Sequence, residues 1–131
     1  MLAGPLLWPA ACDRSFDMAA ALARVASVRL VEVYRMLPAP VLPDAALAAL
    51  GDGDVLAVVL MSARSARLFR AHLITAGLDA ALGGLTVIAG SQAIADAAGT
   101  GWREVYVARR STRARLLAIA ALLYDRRDRL A

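Results

Sequence analysis

The chain has 131 residues, 60% of them hydrophobic, and a net charge of +4 from 15 basic and 11 acidic side chains. That length suits one domain and leaves room for a sizeable core. The single cysteine, Cys12, excludes an internal disulfide and a cysteine-built zinc site. The longest apolar runs, Val55–Met61 and Leu116–Leu123, fall short of the roughly eighteen residues a membrane span needs, so no membrane partner is expected.

Every basic residue is an arginine, the usage of a GC-rich genome. The positive balance suits an anionic ligand. No basic stripe is interleaved with aromatics, so no nucleic acid partner is expected. The stretch "LLWPAAC" is only faintly like a lipoprotein cleavage box. It lacks a basic start and a proper apolar core, and a cytoplasmic protein is the expectation.

Taken in order, "PLLWPA" (Pro5–Ala10) reads as a short strand carrying two prolines. Asp13–Ala26 reads as a helix with Met18, Leu22 and Val25 on one face and Asp13 or Ser15 as its cap. "VRLVEVYR" (Val28–Arg35) is a β-branched, alternating strand. "MLPAPVLP" follows, with Pro38, Pro40 and Pro43, and should be an extended connector. Asp44–Leu50 reads as a short capped helix closed by Gly51-Asp52-Gly53.

Val55–Met61 is the next strand, and Ala63–Ala76 a helix with Ala66, Phe69, Leu73 and Ala76 inward. "GLDAALGG" is a turn region. Leu85–Ala89 is a strand and Ser91–Ala98 a helix. Arg103–Ala108 is the last strand. Thr112 to Arg127 is the last helix, with Leu117, Ala120 and Tyr124 on one face, and "DRRDRLA" is a frayed end.

Strands alternating with helices imply parallel βαβ units, and hence an α/β fold with a doubly wound parallel sheet. Sheets of this kind bury both faces, which accounts for a continuously apolar Val55–Met61.

Three strands share one ending: Ser62, Gly90-Ser91 and Ser111-Thr112 each stand between a strand and a helix. N-capping alone explains such serines, each worth about 1 kcal/mol. The same positions lie where open parallel sheets bind ligands, with free helix amides offered to anions. His72 has no carboxylate at a useful spacing. Arg64, Arg67 and Arg70 read as a solvated face. No Walker loop, GxGxxG, HExxH or GxSxG is present. Periodicity and spacing reach an α/β domain with an anion crevice and go no further.

The order of motifs carries more. "LLWPAACDRSFDMAAALARVASVRLVEVYRM", "DVLAVVLMSARSARLF" and "LTVIAGSQAIADAAGTGWREVYVARRSTRARLLAIAALL" together resemble the C-terminal half of the uroporphyrinogen-III synthase family. The family pattern is a strand–Gly–Asp–Arg–helix segment, a "VEVYR" strand, a serine-bearing strand–helix junction, and a helix ending in Gly-Trp. The chain departs from it at Ala11-Cys12, where the glycine is replaced, and at Gln92-Ala93, where many members have threonine.

The resemblance implies a cytoplasmic lyase of tetrapyrrole (haem) biosynthesis that cyclises hydroxymethylbilane, a linear tetrapyrrole, with inversion of its last ring. No cofactor and no metal are implied. It implies Tyr34 as the catalytic residue assisting loss of the hydroxyl. Ser62, Arg64, Ser65, Ser91 and Gln92 are the implied substrate-binding residues. Strong acids and bases are not needed for a reaction governed by orientation and stabilisation of developing charge.

The expected organisation is a flavodoxin-like half of a two-lobed fold. Residues 1–36 form a βαβ unit of one lobe, 37–43 a proline-rich connector, and 44–131 the α/β unit of the other. The family's N-terminal half is expected to be missing. Proline stiffness favours an exchanged homodimer over a monomer with 1–36 folded back. The alternative function is a non-catalytic flavodoxin-like module binding an anionic ligand or a partner protein.

Overall fold

The computed structural model describes residues 4–110 and 112–128 and has the expected α/β architecture, strands alternating with helices and pairing only in parallel. Ser111, one residue of the third junction, and 129–131 of the expected frayed end lie outside the described residues. The chain divides into two compact units, Met1–Ala39 and Pro40–Ala131.

The first unit holds β1 (Leu6–Ala11), α1 (Met18–Leu22) and β2 (Val28–Tyr34). β1 and β2 pair in parallel, Leu6 opposite Val28 and Trp8 opposite Leu30, with a register shift at Ala10/Ala11. Leu6 N–H donates to the Ser27 carbonyl at 2.8 Å, so even-numbered residues at the start of β1 turn their amides toward β2. Pro9 therefore places its missing donor on the outer edge, where no ladder bond is lost.

Helix α1 is far shorter than the predicted Asp13–Ala26. The Arg14 guanidinium donates to the Ala11 carbonyl at 2.8 Å and the Cys12 carbonyl at 3.3 Å, and pairs with Glu32 at 3.0 Å. These bonds hold the segment after β1 as a loop. The cap is Asp17, not Asp13 or Ser15, and its carboxylate accepts from Ala20 N–H at 3.1 Å. The expected alternation of β2 is absent too. Every residue from Arg29 to Tyr34 is exposed, and Ala10 is the buried hydrophobic side chain of this unit among the described residues.

The second unit begins with α2 (Asp44–Gly51) and continues through β3 (Ala57–Leu60), α3 (Ala63–Thr75), a 3-10 helix (Asp79–Gly84), β4 (Thr86–Ala89), α4 (Gln92–Ala98), β5 (Glu104–Val107) and α5 (Arg113–Asp128). The strands lie in the order β3-β4-β5, with Val58 opposite Val87 and Val87 opposite Val105. Helices cover both faces, as a doubly wound sheet requires. Ala66 of α3 and Ile94, Ala95 and Ala98 of α4 pack with Val87. Leu116, Ile119, Ala120 and Leu123 of α5 pack with Ile88. A third cluster joins Leu50, Leu73, Leu82 and Leu85.

Several details differ from the sequence reading. α2 has Pro43 at its N-cap, and Asp44 is the acid of its first turn. The turn region "GLDAALGG" contains the 3-10 helix. Ala76 is exposed. The buried face of α5 excludes Leu117 and Tyr124, which are 62% and 61% exposed.

Arg70 does not belong to a solvated stripe. Its guanidinium donates to the carbonyls of Ala98 at 3.1 Å and Thr100 at 2.6 Å, tying α3 to the end of α4. Trp102 stacks on Phe69 with centroids 6.4 Å apart and donates to the same Ala98 carbonyl at 3.2 Å. Gly99 turns the chain at φ 74°, and a Cβ there would sit 3.1 Å from the Arg70 guanidinium carbon.

Two substitutions test this core in urea unfolding. Leu73→Ala removes a wholly buried side chain and should cost about 2–5 kcal/mol. Gly99→Ala should cost about 1–3 kcal/mol through its left-handed backbone. Gly84→Ala, where an added methyl meets open space, should be close to neutral.

Candidate functional site

Parallel strands deliver their carboxyl ends to one edge of the sheet, and each following helix starts there. Leu60 and Ala89 are register partners on β3 and β4, and Ser62 and Ser91 each stand two residues beyond them. Ser62 Oγ accepts from the Ser65 amide at 3.0 Å and donates to Ser65 Oγ at 2.8 Å. Ser91 Oγ accepts from the Ile94 amide at 3.4 Å. Both are N-caps in extended backbone. Thr112 Oγ1 accepts from the Arg115 amide at 3.3 Å, so the third junction is capped in the same way.

Arg64 lies half-buried in the first turn of α3, and Ser65 beside it is exposed. Gln92 is exposed and donates to Asp96 Oδ1 at 2.8 Å, along its own helix. Thus Ser62, Arg64 and Ser65 share one junction, and Ser91 and Gln92 the next. Arg109 and Arg110, between β5 and α5, are exposed and were not singled out by sequence reasoning. The signal for them was the run "ARRSTRAR" after the last strand. The arrangement offers hydroxyls, helix amides and guanidinium groups at strand ends, a donor set for carboxylates.

Tyr34 belongs to the first unit. It ends β2, is 58% exposed, and its carbonyl accepts from the Cys12 amide at 2.8 Å. Its hydroxyl has no protein partner among the described residues. Arg35 donates to Cys12 Sγ at 3.6 Å. The same unit contains an open groove of about 530 Å3 between the Trp8 and Leu30 pair on the sheet and the Cys12 to Ala19 segment. Arg14 lies over the Trp8 ring, 5.9 Å from its centroid.

Among the described residues, no cluster of three or more His, Cys, Asp or Glu could hold a metal ion, and no helix is long and apolar enough to cross a membrane.

The capping role of Ser62 is separable from any contact with a ligand. Ser62→Ala should lower stability by about 1 kcal/mol, and Ser62→Gly by only a few tenths, measured by thermal or urea unfolding. A loss of activity with Ser62→Gly larger than its loss of stability would mark a ligand contact.

No curated protein and no solved structure shows significant similarity to the chain. The family described as "Uroporphyrinogen-III synthase HemD" matches residues 2–118, which takes in both units and all the junctions above. With nearly the whole sequence matched, the chain belongs to the uroporphyrinogen-III synthase family, and with it goes a uroporphyrinogen-III synthase-like role in tetrapyrrole biosynthesis.

Proposed function

We propose that this chain cyclises hydroxymethylbilane with inversion of its last ring, as a uroporphyrinogen-III synthase or as the C-terminal half of one. The observation that carries the reading is the family match over residues 2–118. The row of capped, hydroxyl-bearing strand ends supports it, because the substrate carries many carboxylates. Ser62, Ser65 and Ser91 hold it through hydroxyls and nearby helix amides, and Arg64 and Gln92 contribute charge and a side-chain amide.

The chemistry begins with a loss of water and a first attack by the last ring on the carbon that lost the hydroxyl. The bond joining that ring to its bridge then breaks. A second attack re-forms the bridge bond at another carbon of the ring and closes the macrocycle with the ring inverted. Tyr34 donates a hydrogen bond to the departing hydroxyl, a role its unpartnered and accessible phenol allows. The remaining work is to keep a flexible chain folded so that the last ring can attack in the inverted sense, which is control of entropy and orientation. Neither a cofactor nor a metal takes part, and the setting is the cytoplasm.

In this reading residues 1–36 serve one lobe, 37–43 form the connector, and 44–131 serve the other. The first unit leaves Leu7 and Val33 about 60% exposed on a two-stranded sheet. Two strands alone are marginal in water, so such a sheet needs a cover. Exchange of 1–36 between two chains is the arrangement we favour, giving a homodimer in light scattering at twice the 13.8 kDa chain mass. A stable monomer at high concentration, with the unit packed on its own chain, would refute the exchange.

The activity test is a coupled assay on hydroxymethylbilane. Type III product above the spontaneous type I closure is expected. Tyr34→Phe should reduce kcat by roughly a hundredfold, the scale of a lost proton-donating group. An unchanged kcat removes Tyr34 from the mechanism. The second reading, a non-catalytic module for an anion or a partner protein, draws on the unsealed first unit. It gains if the folded chain yields no type III product.

A further inference from the structure

We propose that the groove beside Trp8 is a subsite for a flat heteroaromatic ring bearing a carboxylate, with Arg14 as its anion-binding side chain. The proposal deepens the functional reading and rests on it for the natural ligand, since the ring would be one pyrrole unit of the linear tetrapyrrole. The groove itself is a property of this chain.

The walls come from the strand pairing. Trp8 and Leu30 are register partners, so their side chains are neighbours on one face of the β1–β2 sheet. Phe16, on the loop after β1, also lines the groove and is 59% exposed. A groove of about 530 Å3 lies within the range of small-molecule sites, roughly 300–1,000 Å3. An indole wall with an aliphatic neighbour suits a flat ring, which gains by stacking.

The polar end is Arg14. One terminal nitrogen makes all its protein hydrogen bonds, to the carbonyls of Ala11 and Cys12 and to Glu32. Its Nε and second terminal nitrogen have no protein partner among the described residues. The guanidinium is thus fixed at one corner and open along the edge that binds carboxylates in a two-point fork. Stacking over Trp8 further limits its freedom.

The acids nearby set the polarity of the site. Asp17 lines the groove, and its carboxylate already accepts from the Ala20 amide. Glu32 is 51% exposed, so its pair with Arg14 is solvent-screened and weak. An incoming carboxylate competes with Glu32 for the same guanidinium. That competition gives the proposal a signature that a merely structural Arg14–Glu32 pair lacks: neutralising Glu32 should tighten binding.

The test uses the full chain and pyrrole-2-carboxylate as the probe, with pyrrole-2-carboxamide as the uncharged control. The readout is the indole N–H resonance of Trp8, with Trp102 as an internal reference. A saturable shift confined to Trp8 is expected, with the carboxamide at least about tenfold weaker, the scale of a charge-assisted hydrogen bond. Arg14→Gln should abolish the shift, and Glu32→Gln should lower the dissociation constant several-fold. No saturable shift, equal binding of the carboxamide, or weaker binding with Glu32→Gln overturns the proposal. Should Arg14→Gln fail to fold, Glu32→Gln decides alone. Probe binding without type III product leaves the subsite standing and defeats the catalytic reading. Type III product with no shift at Trp8 defeats only the subsite.

Discussion

A parallel sheet is stable only when both of its faces are covered, and most of this structure follows from how far each unit meets that requirement. In Pro40–Ala131 the central strand β4 is buried along its whole length. α3 and α4 lie over the Val87 side and α5 over the Ile88 side. Those helices can return to the sheet only if each begins at the end of a strand. The backbone amides of each first turn then need partners, and Ser62, Ser91 and Thr112 supply them. The residues that resemble a binding row are thus required first by the fold. Any ligand that reaches them meets groups already held in place, which reduces the reorganisation that binding would demand.

Where helix α4 ends, a second device governs how it sits. Arg70, Gly99 and Trp102 act as one unit, since two donors from different elements converge on the Ala98 carbonyl. The glycine is needed twice over, for its positive φ and for the closeness of the guanidinium. The Gly-Trp that the family pattern places after this helix has a packing explanation here: the indole closes the gap between the cluster around Val87 and the one around Leu73. Ser91 and Gly99 cap the two ends of the same seven-residue helix.

The sequence made the strand–helix alternation and the junction serines legible because each depends on local chemistry: β-branched runs, glycine punctuation and capping oxygens. What it hid depends on neighbours. α5 is apolar around most of its surface, so periodicity could not choose between Leu117 and Leu116; Ile88 and Ala108 made that choice. α1 is rich in alanine, which favours helix without marking a face, and the Arg14 bonds to Ala11 and Cys12 overrode the propensity. Val55–Met61 reads as one buried strand, yet only Ala57–Leu60 pairs, and Val59 and Met61 are 46% and 59% exposed because β3 is an edge. Tyr34 came from family resemblance alone, since an exposed tyrosine at a strand end has no local signature. The groove beside Trp8 was not legible, because it arises from register between residues far apart in sequence.

The first unit shows what happens when the covering requirement is not met. β1 and β2 pair well, but apart from Ala10 the hydrophobic side chains of Met1–Ala39 remain at least partly accessible among the described residues. A sheet left in this state exposes aromatic and aliphatic walls together with the guanidinium groups that tether its loops. The two units therefore offer different chemistry. The second presents hydroxyls and amides fixed by caps, a donor set for carboxylates, with Met61 exposed beside Ser62. The first presents Trp8, Leu30 and Phe16 around Arg14, suited to the flat faces of rings. Carboxylate donors and apolar walls thus fall in different units of one chain, because a sheet covered on both faces keeps polar groups at its strand ends, whereas a two-stranded sheet keeps its side chains accessible.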